Sequence, residues 1–439
     1  MKILVLNAGS SSQKSCLYNI ADNIEDNIED NTECNTENAL PEQPSEPLSE
    51  QLSKPLWEAQ IDWLPQQQSA RIEIQTSAGK QQSETRPSVS RKETLAYLLS
   101  CLHQGDTQVI SSLADIDIVG HRVVHGGQDY QSSVIVNAEV KATIDRLSVL
   151  APNHNPANLE GIELMEQLLG DIPQVAVFDT AFHSQMPAVA AIYPGPNEWL
   201  AQGIRRYGFH GISHQYCAYK AAKILGQPLD SLRLIICHLG NGGSLSAVKE
   251  GRSVDTTMGF TPLDGLMMGT RAGSVDPGIL IYLMRQGKSA DELDRLLNKQ
   301  SGLAGISGVS HDMREISQAA AQGNERAALA MELYIHRLKA CFGSMLMSLG
   351  GVDAVVFTAG IGEHSPWVRE KLCKGLAFLG LTLDAEANKQ SPVDRDIAMA
   401  KSAVRVLVIK TQEDWAIAQA CWDYLKSPAA SQSSQVTSL

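Results

Sequence analysis

The sequence predicts an α/β fold made of two related halves, each with a mixed sheet covered by helices. Apolar stretches with strand character alternate with helical stretches along most of the chain. Each half opens with strand hairpins and continues with strand–helix crossovers, which is typical of mixed sheets. Buried-strand patterns run into glycine-containing turns at three places, after Leu6, Cys237 and Phe357. This recurrence suggests a nucleotide held between two halves of similar design.

The individual elements follow from hydrophobic periodicity and from local start signals. Asp276-Pro277 and Ser365-Pro366 each place a capping side chain before a proline at the first helical position. Strands are predicted over residues 2–7, 14–20, 57–63, 70–76, 116–124, 174–178, 233–238, 244–249, 353–358 and 404–409. Helices are predicted over residues 91–104, 138–149, 156–169, 213–226, 276–287, 289–299, 311–321, 323–350, 366–379 and 412–426.

The turn after the first strand has the composition of a phosphate-binding loop. The segment Asn7–Lys14 contains three serines, whose hydroxyls and backbone N–H groups can donate to phosphate oxygens, and it ends in a cation. Gly9 lets the backbone turn tightly and approach a ligand. A single turn of this kind is more often structural. The recurrence at His238–Ser244 and Thr358–Glu363 favours phosphate binding.

Composition restricts the class of partner and the compartment. The chain has 439 residues and a formal net charge of −13, which argues against binding to nucleic acid or to an anionic membrane surface. The eight cysteines form no C-x-x-C pair or zinc-spaced cluster, so we expect free thiols in a reducing cytoplasm. Met1-Lys2 leads directly into a strand and no apolar run approaches 18 residues. We therefore expect neither a signal peptide nor a membrane helix.

Residues 21–55 differ in composition from the rest of the chain. A short acidic repeat is followed by a stretch rich in proline, glutamate and serine, so we expect a solvated, mobile insertion in a hairpin loop. Its simplest interpretation is a tolerated surface loop, and an interaction segment is the alternative. The polar tail from Ser427 to Leu439 is expected to fray.

Two strand ends carry charged groups next to small residues. The segment His121–Gly127 includes Arg122, whose planar guanidinium can bind a carboxylate or phosphate in bidentate fashion, although a surface ion pair is the simpler alternative. Asp179 follows the strand 174–178 and could hold Mg²⁺, orient a nucleophile or accept a proton. Capping of the next segment is an equally open interpretation.

Histidine and arginine recur in two further clusters. In Tyr207–His214, His210 lies between Phe209 and Gly211 and is the better candidate for charge stabilisation, whereas His214 could be an ordinary helix residue. The irregular loop 256–273 carries one cation, Arg271, which suits stabilisation of charge on a transferring phosphoryl group. A purely structural loop is the alternative there.

Two acidic segments complete the set of candidates. Lys410–Asp414 lies between a strand and a helix, where adjacent acids could bind Mg²⁺ and start the helix. Asp312–Arg314 is either a helix cap or a nucleotide contact. The chain has no Walker A motif, G-x-S-x-G elbow or H-E-x-x-H helix. Phosphate-binding turns, arginines and carboxylates together point to phosphoryl transfer, which depends mainly on positioning and charge compensation.

These motifs, in order from residue 2 to about residue 425, resemble the acetate kinase family. The motifs that carry the resemblance are Leu6–Ser12, His121–Gly127, Phe178–His183, Tyr207–His214, His238–Gly242, Gly269–Arg271, Phe357–Glu363 and Thr411–Glu413. The family belongs to the superfamily of sugar kinases, actin and heat-shock chaperone ATPases.

The resemblance implies a fold and a reaction. The fold is two duplicated actin-like (ribonuclease H-like) βββαβαβα domains with the active site in the cleft between them. An N-terminal domain would comprise residues 1–181 plus 414–439, and a nucleotide-binding C-terminal domain residues 182–413. The reaction is the reversible, direct in-line transfer of the ATP γ-phosphoryl group to acetate, giving ADP and acetyl phosphate. It would require Mg²⁺, which Mn²⁺ could replace, and the protein would be a cytoplasmic homodimer.

The resemblance also implies roles for individual residues. The catalytic residues would be Asp179, His210 and Arg271. The acetate site would comprise Arg122, Val124, Phe209 and Pro262. Asn7 and Glu413 would serve the metal. The nucleotide would contact Lys14, Ser10, Ser12, His238, Leu239, Gly240, Asn241, Gly242, Asp312, Met313, Arg314, Gly360, Ile361, Gly362, Glu363 and His364.

The chain departs from the family pattern at a few positions. Asn153 stands where the family usually has a leucine of the methyl pocket, so we expect a more polar wall. Ala272 and Ser274 replace a serine and an aspartate next to Arg271, which we expect to be held differently. His364 and Gln412 replace asparagines at more peripheral positions.

Two alternatives accompany the acetate kinase interpretation. A propionate or short-chain acyl kinase is the first, and Val124 argues against it because propionate enzymes tend to carry a smaller residue there. A second methylene changes binding by only about 1–3 kcal/mol, so some propionate turnover is expected in either case. The second alternative is a nucleotide-binding regulatory protein with weak or lost catalysis, and the retained catalytic residues argue against it.

Overall fold

The computed structural model describes residues 1–9, 12–20, 54–64, 68–87, 90–390 and 392–426. Its contacts divide the chain into two compact units. The first unit contains Met1–Gly126, Ser132–Phe178 and Glu413–Leu439, and the second contains Gly127–Gln131 and Asp179–Gln412. These two units do not test the domain boundaries implied by the resemblance, which remain a prediction. None of the helices in the described residues is long and apolar enough to cross a membrane.

The first unit is built on an eight-stranded mixed sheet. Its strands are β1 (Lys2–Ala8), β2 (Ser12–Asn19), β3 (Trp57–Leu64), β4 (Ser69–Thr76), β5 (Gln81–Pro87), β6 (Ile118–Val123), β7 (Val134–Ile135) and β8 (Gln174–Phe178). Their order across the sheet is β5-β4-β3-β2-β1-β6-β8-β7. The strands from β1 to β5 form an antiparallel meander, and β6 and β8 continue from β1 in parallel.

Four helices cover the sheet of the first unit. They are α1 (Arg91–His103), α2 (Ala138–Arg146), α3 (Asn155–Leu169) and α15 (Glu413–Lys426). The helices α1 and α3 share a core with Leu4 and Leu6 of β1, and α15 packs against β1 and β6. Asn137 caps α2 by accepting a hydrogen bond from the backbone N–H of Val140 at 2.9 Å.

The second unit is built on a six-stranded mixed sheet. Its strands are β9 (Arg233–Leu239), β10 (Gly243–Lys249), β11 (Arg252–Thr256), β12 (Ala354–Thr358), β13 (Arg395–Asp396) and β14 (Arg405–Val408), in the order β11-β10-β9-β12-β14-β13. As in the first unit, an antiparallel meander joins a parallel pair, because β12 pairs in parallel with both β9 and β14.

Helices lie on both faces of this second sheet. They are α4 (Ala188–Ala191), α5 (Glu198–Ala201), α6 (Gly211–Leu225), α7 (Pro277–Arg285), α8 (Ala290–Lys299), α9 (Gly302–Ser307), α10 (Met313–Ala321), α11 (Glu325–Leu349), α12 (Ala359–His364), α13 (Pro366–Gly375) and α14 (Ala385–Lys389). Alternate residues of β9 divide between two cores. Ile235 packs with α11 and α13, whereas Leu234 packs with α6.

The structure confirms the predicted mixed α/β architecture and differs in detail. The strand β5 was missed because its residues, Gln81–Pro87, are almost all polar and lie at the edge of the sheet. The third glycine-containing turn is a short helix, α12, which starts at Ala359 with a positive φ of 63°. The antiparallel pairing of Leu17 with Trp57 confirms that the insertion joins two strands of a hairpin. Nearly all of that insertion, and residues 427–439, lie outside the described residues.

Gly120 allows close packing between a strand and a helix in the first unit. A Cβ atom at this position in β6 would lie 2.6 Å from Cγ2 of Ile417 and 2.7 Å from Sγ of Cys421, both on α15. We expect Gly120→Ala to lower the free energy of unfolding by about 1–3 kcal/mol, because the helix must move to make room. Urea denaturation measures the change.

Gly161 of α3 provides a matched control for this substitution. A Cβ atom there meets no atom within 4 Å. We expect Gly161→Ala to leave stability unchanged or to raise it, since alanine is the better helix former. Equal effects of the two substitutions would contradict the assigned packing.

Candidate active site

In the first unit, Asn7 links three elements at the end of β1. Its side-chain Nδ2 donates to Oε2 of Glu413 at 3.3 Å and to Oδ1 of Asp414 at 3.1 Å. Its Oδ1 accepts a hydrogen bond from an Nη of Arg122 at 3.2 Å. The first strand, the end of β6 and the start of α15 therefore bring an amide, a guanidinium and two carboxylates together.

Lys14 lies opposite Asn7 in the β1–β2 hairpin and completes this cluster. Its Nζ is 2.8 Å from Oδ2 of Asp414 and 3.2 Å from Oε1 of Glu58. Burial alone would lower the pKa of Lys14, but Asp414 and its other neighbours raise it well above its usual value, so the side chain is cationic. The role of Asp414 as a bridge was not predicted, although its position beside Glu413 at a strand exit was the available signal.

The predicted phosphate-binding turn is only partly described. The backbone N–H of Gly9 donates to the carbonyl of Ser12 at 2.8 Å, which brings the end of β1 and the start of β2 together. Ser12 is half-buried at the start of β2. Ser10, which we expect to contact the nucleotide, lies outside the described residues.

Two buried asparagines hold the segment that follows Arg122. Asn158 accepts from the backbone N–H of Val124 at 3.2 Å and donates to the carbonyl of Ala8 at 3.0 Å. Asn155 accepts from the N–H of His125 at 3.1 Å and donates to its carbonyl at 3.1 Å. These asparagines at the start of α3 thus fix the backbone on both sides of the buried Val124 side chain. Sequence reasoning missed both of them.

In the second unit, one backbone hydrogen bond ties two predicted catalytic residues together. The N–H of Gly211 donates to the carbonyl of Asp179 at 2.9 Å. His210, the residue before Gly211, has a left-handed backbone with φ 57° and ψ 26° and caps the start of α6. A Cβ atom at Gly211 would overlap the Asp179 carbonyl, so only glycine allows this approach. The Asp179 side chain is fully buried.

A network of hydroxyl groups and imidazoles supports His210. Its Nδ1 is 2.9 Å from Oγ of Ser244, and the same oxygen is 2.8 Å from Nε2 of His214. The ring of His210 stacks on His238 with 4.2 Å between centroids and an interplanar angle of 14°. Nδ1 of His238 is in turn 2.8 Å from Oγ of Ser213. Because the Ser244 hydroxyl has one proton, it can donate to only one of its two histidines.

Burial determines the protonation of the deeper histidines in this network. Burial lowers the pKa of His214 well below its usual value, with further lowering by His183 and His238. Burial likewise lowers the pKa of His183 to about 4, although its hydrogen bond with the carbonyl of Phe209 raises it. Both side chains are therefore neutral near pH 7 and act as hydrogen-bonding groups. Neither was assigned a supporting role from the sequence.

Arg271 and His210 converge on Gly242. A Cβ atom at Gly242 would lie 3.4 Å from an Nη of Arg271 and 3.6 Å from Nε2 of His210. The Arg271 guanidinium also donates to the carbonyl of Pro262 at 3.4 Å. Burial lowers the pKa of Arg271 below its usual value, but the guanidinium remains charged at neutral pH. The missing side chain at Gly242 leaves a small space faced by a guanidinium and an imidazole.

The loop around Arg271 is anchored through its backbone. The N–H of Met268 donates to the carbonyl of Arg271 at 3.1 Å, and the N–H of Ala272 donates to the carbonyl of Leu297 at 3.0 Å. At the front of the loop, the N–H of Gly269 donates to the carbonyl of Asn241 at 3.0 Å. This last bond joins the arginine loop to the His238–Gly242 turn, where Gly240 N–H donates to the carbonyl of Gly242 at 2.9 Å.

Some of the remaining residues predicted to contact the nucleotide form hydrogen bonds or ion pairs within the protein. The carboxylate of Asp312 caps α10 and pairs with the exposed Arg314 guanidinium at 2.6 Å, whereas Met313 is buried. Oε1 of Glu363 accepts from the N–H of Ala359 at 2.8 Å and from the N–H of Thr411 at 3.2 Å. In the same segment, Gly360 and His364 are exposed, Gly362 is buried and Ile361 is half-buried.

Hydrogen bonds from Arg369 hold α12 in position. This fully buried guanidinium donates to the carbonyls of Gly362 and Glu363 at 2.7 and 2.8 Å. It also donates to Oδ1 of Asn388 at 2.7 Å. Burial lowers the pKa of Arg369 to about 10, with a partial opposite effect from Cys373, so it stays charged at neutral pH. It was not recognised in the sequence because no motif surrounds it.

A mixed α/β protein in which an arginine and a histidine face a glycine turn has the construction of a phosphoryl-transfer enzyme. The model of the acetokinase family matches residues 2–419. An acetate kinase of Acaryochloris marina is 63% identical over 423 residues, which cover 96% of this chain and 99% of that protein. The chain therefore belongs to the acetokinase family.

Solved structures agree with this assignment. The crystal structure of Porphyromonas gingivalis acetate kinase is similar to the whole chain, with a TM-score of 0.82 at 38% identity, covering 97% of this chain and 100% of the other. A propionate kinase from Francisella tularensis gives a TM-score of 0.82 at 39% identity, covering 95% and 98%. The two-domain actin-like fold implied by the resemblance is thereby confirmed.

The buried histidines should make the fold sensitive to acid. Burial lowers the pKa of His121 and of His183 from 6.5 to about 4, so the unfolded chain binds protons more readily than the folded one. The stability that these neutral imidazoles contribute is complete above about pH 6.5 and is lost as the pH falls towards 4. We expect up to about 1.4 kcal/mol of lost stability per histidine per pH unit in that range.

Chemical denaturation at several pH values measures this dependence. His121 bonds to Oε1 of Gln174 at 2.5 Å, and His121→Gln should remove part of the slope between pH 6.5 and 4. His364→Gln, at an exposed position, is the matched control and should keep the full slope. The assignment fails if both variants retain the slope of the original protein.

Proposed function

We propose that this chain is an acetate kinase that reversibly transfers the γ-phosphoryl group of ATP to acetate. The observation that carries the proposal is the 63% identity to an acetate kinase over nearly the full length of both chains. In the forward direction, an acetate oxygen bonds to the γ-phosphorus while the bond to the β–γ bridging oxygen breaks. The products are acetyl phosphate and ADP, and no residue of the chain bonds to the phosphoryl group.

Residues of the second unit would stabilise the phosphoryl group in transfer. Arg271 and His210 face the same small space at Gly242, and a guanidinium and an imidazole N–H are the donors that developing charge on phosphoryl oxygens requires. Burial of Arg271 strengthens its interaction with an anion, because less water screens the charge. Asp179 is the proposed catalytic carboxylate, and its chain position is fixed by the bond to Gly211.

The nucleotide would bind to turns and helix starts that directly follow strands. The turn His238–Gly242 and the start of α12 both follow strands of the second sheet, where backbone N–H groups can donate to phosphate oxygens. Asp312–Arg314 would contact the remainder of the nucleotide, and the exposed Arg314 side chain is accessible for this role. Lys14, with Ser10 and Ser12, is the proposed phosphate contact in the first unit.

Residues of the first unit would bind acetate and the metal. Arg122 is proposed to pair with the acetate carboxylate and Val124 to contact its methyl group. Phe209 and Pro262, the other proposed methyl contacts, belong to the second unit. Within the described residues, no group of three or more His, Cys, Asp or Glu side chains could hold a metal. That result is compatible with Mg²⁺, which usually binds through one or two carboxylates, waters and substrate phosphates.

The donors near Asn7 fit such a metal. Asn7 Nδ2 donates to the carboxylates of Glu413 and Asp414, so the three side chains lie together, and each carries an oxygen atom of the kind that Mg²⁺ prefers. The Asn7 oxygen accepts from Arg122 here, so it would have to turn towards the metal. Asn7 and Glu413 are the proposed ligands, and Mn²⁺ could substitute at such a site. When bound, the metal would neutralise charge on the phosphates. The seven described cysteines are free thiols, six of them buried, which supports our proposal of a cytoplasmic enzyme.

A preference for propionate is the second candidate function. The structure of a propionate kinase matches this chain as well as that of an acetate kinase does, with the same TM-score, so overall likeness does not separate the two. Val124 favours acetate because its buried side chain narrows the proposed pocket. Asn153 is exposed, which argues against a large polar effect on acyl preference. Kinetics with acetate, propionate and butyrate compare the candidates directly.

Arg122 and Arg271 should affect different kinetic parameters. We expect Arg122→Ala to raise the KM for acetate by roughly tenfold or more while leaving the KM for ATP nearly unchanged, because it removes a charge-assisted contact to one substrate. We expect Arg271→Ala to lower kcat by roughly 100-fold or more, since its contact forms in the transition state. A hydroxamate assay that traps acetyl phosphate measures both variants.

Each of these variants is the control for the other. Equal loss of affinity for acetate and ATP in Arg122→Ala, or a pure KM effect in Arg271→Ala, would contradict the proposed roles. Absence of acetyl hydroxamate from the unmodified protein, together with measurable ATP binding, would favour a regulatory protein that has lost turnover.

The exposed apolar face of α7 supports the proposal of a homodimer. None of the residues of α7 is buried, although its sequence is largely apolar. Ile279, Ile281, Tyr282 and Met284 are each about half exposed or more. An apolar helix face of this kind in a chain without a membrane-spanning helix among the described residues is typical of a protein interface.

We expect Ile281→Asp to convert the dimer to a monomer, because a carboxylate would be desolvated in an apolar interface. Light scattering after size-exclusion chromatography measures the mass. Val149→Asp is the control, since Val149 is 77% exposed but lies in the other unit. A monomeric unmodified protein, or a variant that remains dimeric, would exclude α7 from the interface.

A further inference from the structure

The second unit contains a polar cavity that the proposed reaction does not use. Its volume is about 110 Å³, and it is lined by Gly127, Gln128, Gln131, Thr180, His183, Ser184, Arg205 and Tyr207. Thr180, His183 and Tyr207 are buried and form the floor, whereas the two glutamines are exposed and lie at the rim. None of the residues proposed to bind acetate, nucleotide or metal lines this cavity.

Arg205 is the one arginine or lysine among the described residues that line the cavity. No aspartate or glutamate lines it. Among the residues that the structure describes, no carboxylate pairs with Arg205, which bonds through Nε to the carbonyl of Arg206 at 3.3 Å and lies 5.9 Å from the ring of Tyr207. The neighbouring Arg206, by contrast, pairs with Oδ2 of Asp264 at 3.3 Å.

A hydroxyl group in the same cavity also has no partner. Oγ of Ser184 is buried and makes no hydrogen bond within the described part of the chain. A buried polar atom is normally satisfied, so an unsatisfied one next to a cavity indicates a ligand or water. The imidazole of His183 is not available, because its nitrogens bond to Oγ of Ser253 at 2.7 Å and to the carbonyl of Phe209 at 3.1 Å.

We propose that this cavity binds a small oxyanion, either inorganic phosphate or a short-chain carboxylate. The Arg205 guanidinium supplies the charge and a planar pair of donors, and the Ser184 hydroxyl and the rim amides supply further hydrogen bonds. About 10–15 Å³ of cavity volume is enough for one water molecule, so this cavity has room for several waters or for a small anion. A nucleotide is too large for it.

The cavity lies next to two proposed catalytic residues in the chain, so a bound anion can influence the reaction rate. One wall, at Thr180–Ser184, follows directly after Asp179, and another, at Arg205–Tyr207, leads into His210. An anion that bridges these walls restrains both segments, so binding changes the turnover rate. This effect on the rate rests on the proposed function, whereas binding to the cavity does not.

Binding is tested by thermal shift and calorimetric titration of the full chain with inorganic phosphate and, separately, with acetate. We expect Arg205→Gln to weaken binding of one of these anions by roughly tenfold or more, since a charge-assisted contact is lost. Ser184→Ala should weaken the same anion less, and it decides the question if Arg205→Gln does not fold. Arg295→Gln, which removes an exposed arginine of α8, is the matched control and should bind as the unmodified protein does.

The outcomes separate the two anions and the two sites. Loss confined to phosphate, or confined to acetate, supports the cavity and identifies the anion. Binding that survives Arg205→Gln and Ser184→Ala lies at the proposed active site if it disappears in Arg122→Ala, for acetate, or in Arg271→Ala, for phosphate. That result overturns the inference, as does a lack of saturable binding.

A rate measurement keeps this inference distinct from the proposed function. At saturating ATP and acetate, added inorganic phosphate should change the rate of acetyl phosphate formation in the unmodified protein but not in Arg205→Gln. If acetate is the anion, the rate should instead depart from simple saturation at high acetate in the unmodified protein and not in Arg205→Gln. A chain without turnover whose anion binding depends on Arg205 would contradict the proposed function and leave the cavity site standing.

Discussion

The hydrogen bond from Gly211 N–H to the carbonyl of Asp179 is the constraint on which the catalytic geometry of the second unit depends. It joins the residue after β8 to the first turn of α6 at 2.9 Å. His210, the preceding residue, has a left-handed backbone, a conformation that costs about 1–2 kcal/mol for a residue with a Cβ atom. The strain is offset by the contacts of the imidazole, which bonds to Ser244 and stacks on His238.

The same arrangement explains why so many neutral hydroxyl groups surround the histidines. A buried imidazole that gained a proton would lose the hydration of its charge, and for this reason burial keeps His183 and His214 neutral. Ser213, Ser244 and Ser253 supply hydrogen bonds without charge. The positive charge directed at Gly242 can then come from one group, Arg271, whose position is fixed by its loop.

The parts of the site that could be predicted from the sequence are those whose neighbours along the chain form a recognisable pattern. Apolar strands that end in glycine turns marked the Gly242 region, and the isolated cation in loop 256–273 marked Arg271. Asn155, Asn158 and Ser244 could not be recognised, because their function is to bond with segments distant in the chain. The structure of α12 was misjudged for a similar reason, since the buried Arg369 and the Glu363 carboxylate stabilise a helix where the glycines indicated a turn.

The substitutions beside Arg271 show how a loop can change its side chains and keep its backbone. Ser274 stands where the family usually has an aspartate, and its hydroxyl donates to Oδ1 of Asp264 at 2.6 Å while it accepts from the N–H of Gly265 at 3.0 Å. Asp264 therefore supplies a carboxylate to the loop, and through Arg206 it also joins the segment that leads to His210. Because Arg271 is held through its own carbonyl, which accepts from Met268 N–H, and its guanidinium bonds to the Pro262 carbonyl, its position does not require an acidic neighbour. Its charge then remains available for the phosphoryl contact that we propose.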